Sequence, residues 1–153
     1  MVLDGGMGTE LQTYKLQEDD YRGELFKHVE KLVKNNNDLL NLTQPHIVEE
    51  VHCRYLAAGA DIIETNTFNG QWISQSDYGL EKYAFEINRQ AAAIARRAAD
   101  RFSLQKDAFG EERWRLVAGA VGPTNRTASV SPKVEDPSFR NVSYTELVDA
   151  YKE

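Results

Sequence analysis

Gly59-Ala60-Asp61-Ile62-Ile63-Glu64-Thr65-Asn66-Thr67-Phe68 is the stretch on which the fold turns. It opens with a glycine, a residue that ends helices because it reaches the left-handed region without strain. Ile62 and Ile63 follow as a short β-branched run with strand character. The polarity then changes at once to Glu64, Thr65, Asn66 and Thr67. A short apolar strand ending in a cluster of polar side chains suits a parallel strand buried on both faces. In α/β folds ligands bind at the carboxyl ends of such strands.

The same arrangement of strand, polar crown and helix recurs on both sides of this stretch. Upstream, Val2-Leu3-Asp4 reads as a minimal strand running into the tight turn Gly5-Gly6-Met7-Gly8. Thr9 and Gln12 have capping-box spacing, so a helix is expected from Thr9. Glu18 to Glu30 reads as loop with a short helix at best, and Lys34 to Asp38 as a polar loop. Leu39-Leu40-Asn41-Leu42 reads as the second strand, followed by a helix with Pro45 in its first turn and Val48, Val51, Tyr55 and Ala58 on one stripe.

Downstream, Phe68 to Gly79 reads as loop with one helical turn. The longest helix carries Leu80, Ala84, Ile87, Ala91, Ile94, Ala98 and Phe102 at spacings of three and four, a single core-facing stripe. Lys106 to Arg113 reads as a charged surface loop, Leu116 to Val121 as the fourth strand, and Thr124 to Asn141 as a long irregular segment. Ser143 and Glu146 form a second capping box, with Val142 and Leu147 placed as its hydrophobic staple. Ile62, Ile63, Val117, Ala118 and Val121 are expected in the interior, under Ala84, Ile87, Ala91 and Ile94.

Alternating strands and helices imply a parallel sheet. About four βα units are visible, half of a (β/α)8 barrel of the TIM type. The alternative is a small open doubly wound sheet. Residues 1–153 read as one domain, without a linker or a sequence repeat. Met1 directly before a strand and a helix that stops soon after its cap read as abrupt ends, so the chain is expected to be the N-terminal half of a larger barrel. Two unpaired strand edges would make it marginal, dimeric or aggregation-prone in isolation.

The bulk properties exclude several classes. The chain has 153 residues, 41% of them hydrophobic, and a net charge of -6. That length supports a real core, and that charge argues against nucleic acid and anionic membranes as partners. No apolar run is long enough to span a bilayer. A single cysteine, Cys53, rules out an internal disulfide framework and fits a reducing, cytoplasmic setting. In that setting the three sequons at Asn41, Asn125 and Asn141 carry no meaning.

The chemistry lies in the strand ends. Asp4-Gly5-Gly6-Met7-Gly8-Thr9 is a glycine-rich turn entering a helix, and two readings stand level: backbone amides that receive an anionic group, or a tight turn only. It is neither a P-loop nor a dinucleotide fingerprint, since no Gly-Lys-Ser/Thr follows and Leu11 stands where the third glycine would be. Glu64, Asn66 and Thr67 either contact a polar substrate or cap loops through the backbone. In a regular strand Glu64 and Asn66 face one way and Thr65 and Thr67 the other. Arg126 reads as a surface residue rather than a carboxylate clamp. Zinc needs three or four converging Cys, His or carboxylate ligands. His52 and Cys53 diverge on a helix, and His28 and His46 share no face with them.

Three of these stretches also carry a family likeness. Val2 to Thr9 and Ala58 to Phe68 resemble the homocysteine-binding domains of zinc-dependent methyltransferases. Val117 to Pro132, with Asp136 to Asn141 after it, resembles the cobalamin-dependent methionine synthases in particular. The resemblance implies a homocysteine S-methyltransferase, whose substrate homocysteine becomes methionine. It implies methylcobalamin as donor, recharged by methyltetrahydrofolate on separate domains, and a barrel whose zinc is held by cysteines on later strands. The remaining barrel half and the folate and cobalamin domains are then the partners. The substrate-binding residues it implies are Asp4 and Gly5, at the amino-acid end of homocysteine, with Asn66 and Thr67 at the same rim. No catalytic or metal-ligating residue is assigned in this chain, and the chain alone is expected to bind no catalytic zinc and to be inactive unaided. The alternatives are a betaine or S-methylmethionine homocysteine methyltransferase, or a non-enzymatic α/β binding protein.

Overall fold

The computed structural model describes residues 1–106, 110 and 112–152. Of the charged loop expected over Lys106 to Arg113, residues 107–109 and 111 lie outside the described residues, as does the terminal Glu153.

Helices dominate, around a small parallel sheet. In chain order they are α1 (Met7–Gln12), α2 (Glu18–Arg22), α3 (Leu40–Thr43), α4 (Pro45–Ala57), β1 (Ile62–Glu64), α5 (Trp72–Gln75), α6 (Ala84–Ser103), β2 (Leu116–Ala118) and α7 (Tyr144–Ala150). Short 3-10 turns cover Asn37–Leu39, Ser76–Tyr78 and Glu81–Tyr83. β1 and β2 pair in parallel with Ile63 opposite Val117. On the other edge of β1, Leu3 forms a single parallel bridge to Ile62. The local order is therefore Leu3, β1, β2, with α6 as the crossover.

Several local expectations hold for the expected reasons. Gly59 follows the end of α4 at φ +106, a conformation that favours glycine. Pro45 opens α4, where its missing N–H costs nothing. The Ser143 hydroxyl accepts from the Glu146 amide at 3.2 Å while the Glu146 carboxylate accepts from the Ser143 amide at 2.7 Å. Val142 and Leu147 meet in one apolar cluster with Ile73 and Ala150. The stripe of α6 is buried as its period demands, with Ala84, Ile87, Ala91 and Ile94 at 0–1% exposure. Small residues on that face, Ala95, Ala98 and Ala99, bring the helix close to Ile63 and Val117 beneath.

Four expectations are corrected. Leu39 to Leu42 is not a strand: the chain runs from the 3-10 turn into α3. Leu39, Leu40 and Asn41 are all buried, and a short continuous apolar run looks alike as a buried strand or a buried helical turn. The first helix begins at Met7 with Gly6 as its cap, so Thr9 lies inside the first turn and caps nothing. The fourth strand stops at Ala118, and Val121 is 78% exposed rather than interior. Ala58, placed on the α4 stripe, is exposed. Of the expected four strands, two form and Leu3 contributes a single bridge. The described fold is a mostly helical α/β arrangement on a two-stranded sheet.

Candidate functional site

The carboxyl end of β1 is where the polar side chains gather. Asp4 is drawn there by backbone pairing, its N–H donating to the Ile62 carbonyl at 2.9 Å. Its Oδ2 accepts from the Glu64 amide at 3.0 Å. Its other oxygen, Oδ1, is buried and has no hydrogen-bond partner. Burial pushes the carboxyl above its ordinary value, the Glu64 amide pulls it down, and the nearby Glu64 charge raises it again.

Beyond Glu64 the strand becomes irregular, which resolves the alternation problem. Thr65 and Thr67 share a hydrogen bond between their hydroxyls at 2.7 Å. The Thr67 hydroxyl donates to the Ala120 carbonyl at 2.8 Å, and the Thr65 hydroxyl accepts from the Ala120 amide at 3.0 Å. The Asn66 side chain donates to the Asn37 carbonyl at 2.7 Å, and its own main-chain carbonyl accepts from Asn41 at 2.8 Å. Asn66 and Thr67 therefore do bind backbone, the blander of the two roles open to them, while still bordering the cavity.

That cavity measures about 470 Å³ and brings together all four sequence-derived candidates, Asp4, Gly5, Asn66 and Thr67. Gly5 lets Tyr55 approach closely: a Cβ there would meet the Tyr55 ring and hydroxyl at 3.1 Å. Three carboxyl groups, Asp4, Asp38 and Glu64, line the cavity, and no lysine or arginine does among the described residues. α1 is a single six-residue helix, and this acidic lining disfavours a free inorganic anion at the glycine turn. An ammonium is the complementary charge.

Asp38 is the residue the sequence reading passed over. It sits in a polar loop in sequence yet is 3% exposed in the fold. Its Oδ1 accepts from the Asn69 amide at 2.9 Å. Burial pushes its carboxyl up to about 6, against the lowering effect of that hydrogen bond. The signal available was the run Asn35-Asn36-Asn37-Asp38 directly before buried leucines, since local hydrogen bonding by Asn and Asp often builds functional loops. Arg126 pairs with Asp77 at 3.3 Å, away from the cavity.

A metal fits poorly on this chain's own donors. Among the described residues no three His, Cys, Asp or Glu side chains converge as a ligand set. Cys53 is half-buried in α4 with its thiol pushed up by burial, the opposite of what a thiolate ligand needs. Among the described residues no helix is long and apolar enough to cross a membrane.

The family model for homocysteine S-methyltransferase matches residues 1–153. Among solved structures the chain is similar to the homocysteine methyltransferase MmuM from Escherichia coli. Its metallated form is 26% identical with a TM-score of 0.59, over 80% of this chain and 38% of that one. Its oxidized form is 24% identical with a TM-score of 0.61, over 80% of this chain and 37% of that one, a likeness of fold. The chain thus spans under two-fifths of the length of the structures it matches.

Proposed function

The chain belongs to the homocysteine S-methyltransferase family, and on that footing we propose that the cavity beside Asp4 holds the amino-acid end of homocysteine for methyl transfer to its sulfur. One observation carries the reading. Asp4, whose Oδ1 is buried without a hydrogen-bond partner, lines a cavity together with two other carboxyl groups and, among the described residues, no basic side chain. An unpartnered buried acceptor costs stability unless something donates to it, and the ammonium of an α-amino acid is such a donor. In this reading the Gly5 amide would receive the carboxylate of the zwitterion, whose ammonium offsets the acidic lining, and Asn66 and Thr67 would shape the rim.

Residues 1–153 are then one partial homocysteine-binding domain, the N-terminal half of a (β/α)8 barrel. The remaining half would pair with the open edge of β2. The finer reading is cobalamin-dependent methionine synthase, supported by the length of the motif from Val117 to Pro132 with Asp136 to Asn141. Betaine and S-methylmethionine are the alternative methyl donors. Zinc, where a family member carries it, keeps the homocysteine sulfur as thiolate. Among the described residues no donor set fits it, so the role left to these residues is to bind and orient the amino acid. A reducing cytoplasmic setting suits a single free cysteine.

The test is binding of L-homocysteine to the 153-residue chain, compared with 4-mercaptobutyrate, which keeps the thiol and carboxylate but lacks the ammonium. Asp4→Asn is the matching variant. We expect homocysteine to bind measurably better than the deaminated analogue, and Asp4→Asn to erase most of that preference. Equal binding of the two thiols by the unaltered chain would overturn the reading.

A further inference from the structure

One wall of the cavity is the turn Asn66-Thr67-Phe68-Asn69, and it is latched at both ends to the segment Asn36–Asn41. Asn41 donates to the Asn66 carbonyl at 2.8 Å, and the Asn66 side chain returns to the Asn37 carbonyl. At the far end the Asn69 amide donates to Asp38 Oδ1. The Asn69 carbonyl accepts from Gln75 at 3.0 Å, and Gln75 exchanges amide hydrogen bonds with Asn36 at 2.8 and 3.2 Å. Asp38 is the one charged side chain in this latch.

A charge is more than the latch requires. A neutral carbonyl would accept the single Asn69 N–H without the desolvation cost of a buried carboxylate. Asp38 carries a second oxygen that accepts no hydrogen bond from another described residue, on a side chain that lines the cavity. The titratable groups around it are Tyr78, from the turn after α5, whose hydroxyl is raised by burial and by the Asp38 charge, and Asp4 and Glu64 across the cavity. None of them is a cation that would hold Asp38 ionised.

We propose that Asp38 is a positioning residue of this site, latching the Asn66–Asn69 wall through the Asn69 amide and coupling its own ionisation to the arrival of a cationic amino-acid headgroup. The second half of the statement rests on the homocysteine reading above; the first does not. With its carboxyl raised to about 6, Asp38 titrates close to neutral pH, and a cation entering the cavity favours its ionised form. By linkage the ionised form then favours the cation.

The experiment is an NMR pH titration of the 15N-labelled 153-residue chain, reading the Asn69 amide, with and without L-homocysteine. In the free chain the Asn69 shift should titrate with a midpoint of about 6. Saturating homocysteine should move that midpoint down by about half a unit or more. Asp38→Asn should abolish the titration yet leave the amide protected from exchange, because its carbonyl still accepts. Asp38→Ala should lower that protection about tenfold or more. An Asn69 shift that stays flat in the unaltered chain, which needs no variant to fold, overturns the proposal. So does unchanged protection in Asp38→Ala, or a midpoint indifferent to bound homocysteine. If homocysteine fails to bind at all, the substrate reading and the ligand coupling fall together, while the free-chain titration still decides the latch.

Discussion

After β1 the chain turns inward, and after β2 it turns out. Thr65, Asn66 and Thr67 are 5–7% exposed, whereas Val121 is 78% exposed. Both segments follow a short strand of three residues, and both end in polar residues. The difference is in what stands beside them. The first is flanked by β2 on one side and by the Asn36–Asn41 segment on the other, so its main-chain and hydroxyl groups find partners up to 55 residues away. The second meets the first through the Thr67 hydroxyl on the Ala120 carbonyl, and it meets Gln71 through the Pro123 carbonyl at 3.3 Å. It also meets Tyr151 through the Gly122 carbonyl at 2.7 Å and Asp77 through Arg126 at 3.3 Å. Among the described residues, however, no strand flanks its outer side. Beyond Arg126 its hydrogen bonds among the described residues stay within the segment, such as Thr127 to Ser129, Ser131 to Lys133 and Arg140 to the Ala128 carbonyl. A strand end becomes a site wall when it has neighbours on both sides.

The largest effect that tests this contrast lies under the first segment. Ile63 is fully buried between α4, α6 and β2. Ile63→Ala should cost roughly 2–5 kcal/mol of stability by urea unfolding, a loss a protein of this size tolerates poorly. A cost under about 1 kcal/mol would mean that the sheet is not the packed centre described here.

The next effect is a pair of opposed pH dependences. His52 is fully buried with both ring nitrogens unpartnered, and burial pushes it down to about 4 from 6.5. Its unfolded ring takes a proton as pH falls through 6.5 and the folded ring does not until about 4, so its contribution is full above the unfolded value and is lost on acidification. Asp38 runs the other way. Its folded carboxyl sits at about 6 against 3.8 unfolded, so its destabilisation is full above about 6 and is relieved as pH falls. The two slopes oppose each other between about pH 4 and 6, each worth ~3 kcal/mol. Urea midpoints of Asp38→Asn should therefore fall more steeply with acid than those of the unaltered chain, and those of His52→Leu less steeply. Carboxylates lowered by partners, such as Glu18 and Asp61, add a background common to all three proteins. Parallel pH curves for the three would break the assignment.

The smallest effects separate the two segments at their point of contact. A Cβ on Gly122 would fall inside contact distance of the Phe68 carbonyl oxygen and 2.8 Å from its ring. Gly119, three residues earlier, has open space around it. Gly122→Ala should cost about 1–3 kcal/mol through overpacking, and Gly119→Ala within about 0.5 kcal/mol of nothing. Equal costs would show that the segments do not touch as described.

Much of this molecule is legible one window at a time. The stop at Gly59, the proline start of α4, the Ser143–Glu146 box and the α6 stripe depend on residues within a turn or two of each other, and short-range backbone geometry decides them. Asp4, Gly5, Asn66 and Thr67 could be marked for the same reason, since each lies at the end of a strand with a change of polarity. That they share one rim is implied by the family resemblance alone, and local reading of the residues does not bring them together. The burial of Asp38, the coiling of Leu39 to Leu42 and the exposure of Val121 were not visible in the chain. Each of those depends on what packs alongside from 30 or more residues away: Asn69 for Asp38, and a neighbouring strand that β2 lacks among the described residues for Val121. Propensities of a few tenths of a kcal/mol decide local form. Burial of a whole side chain is worth several times more, and only the tertiary structure assigns it.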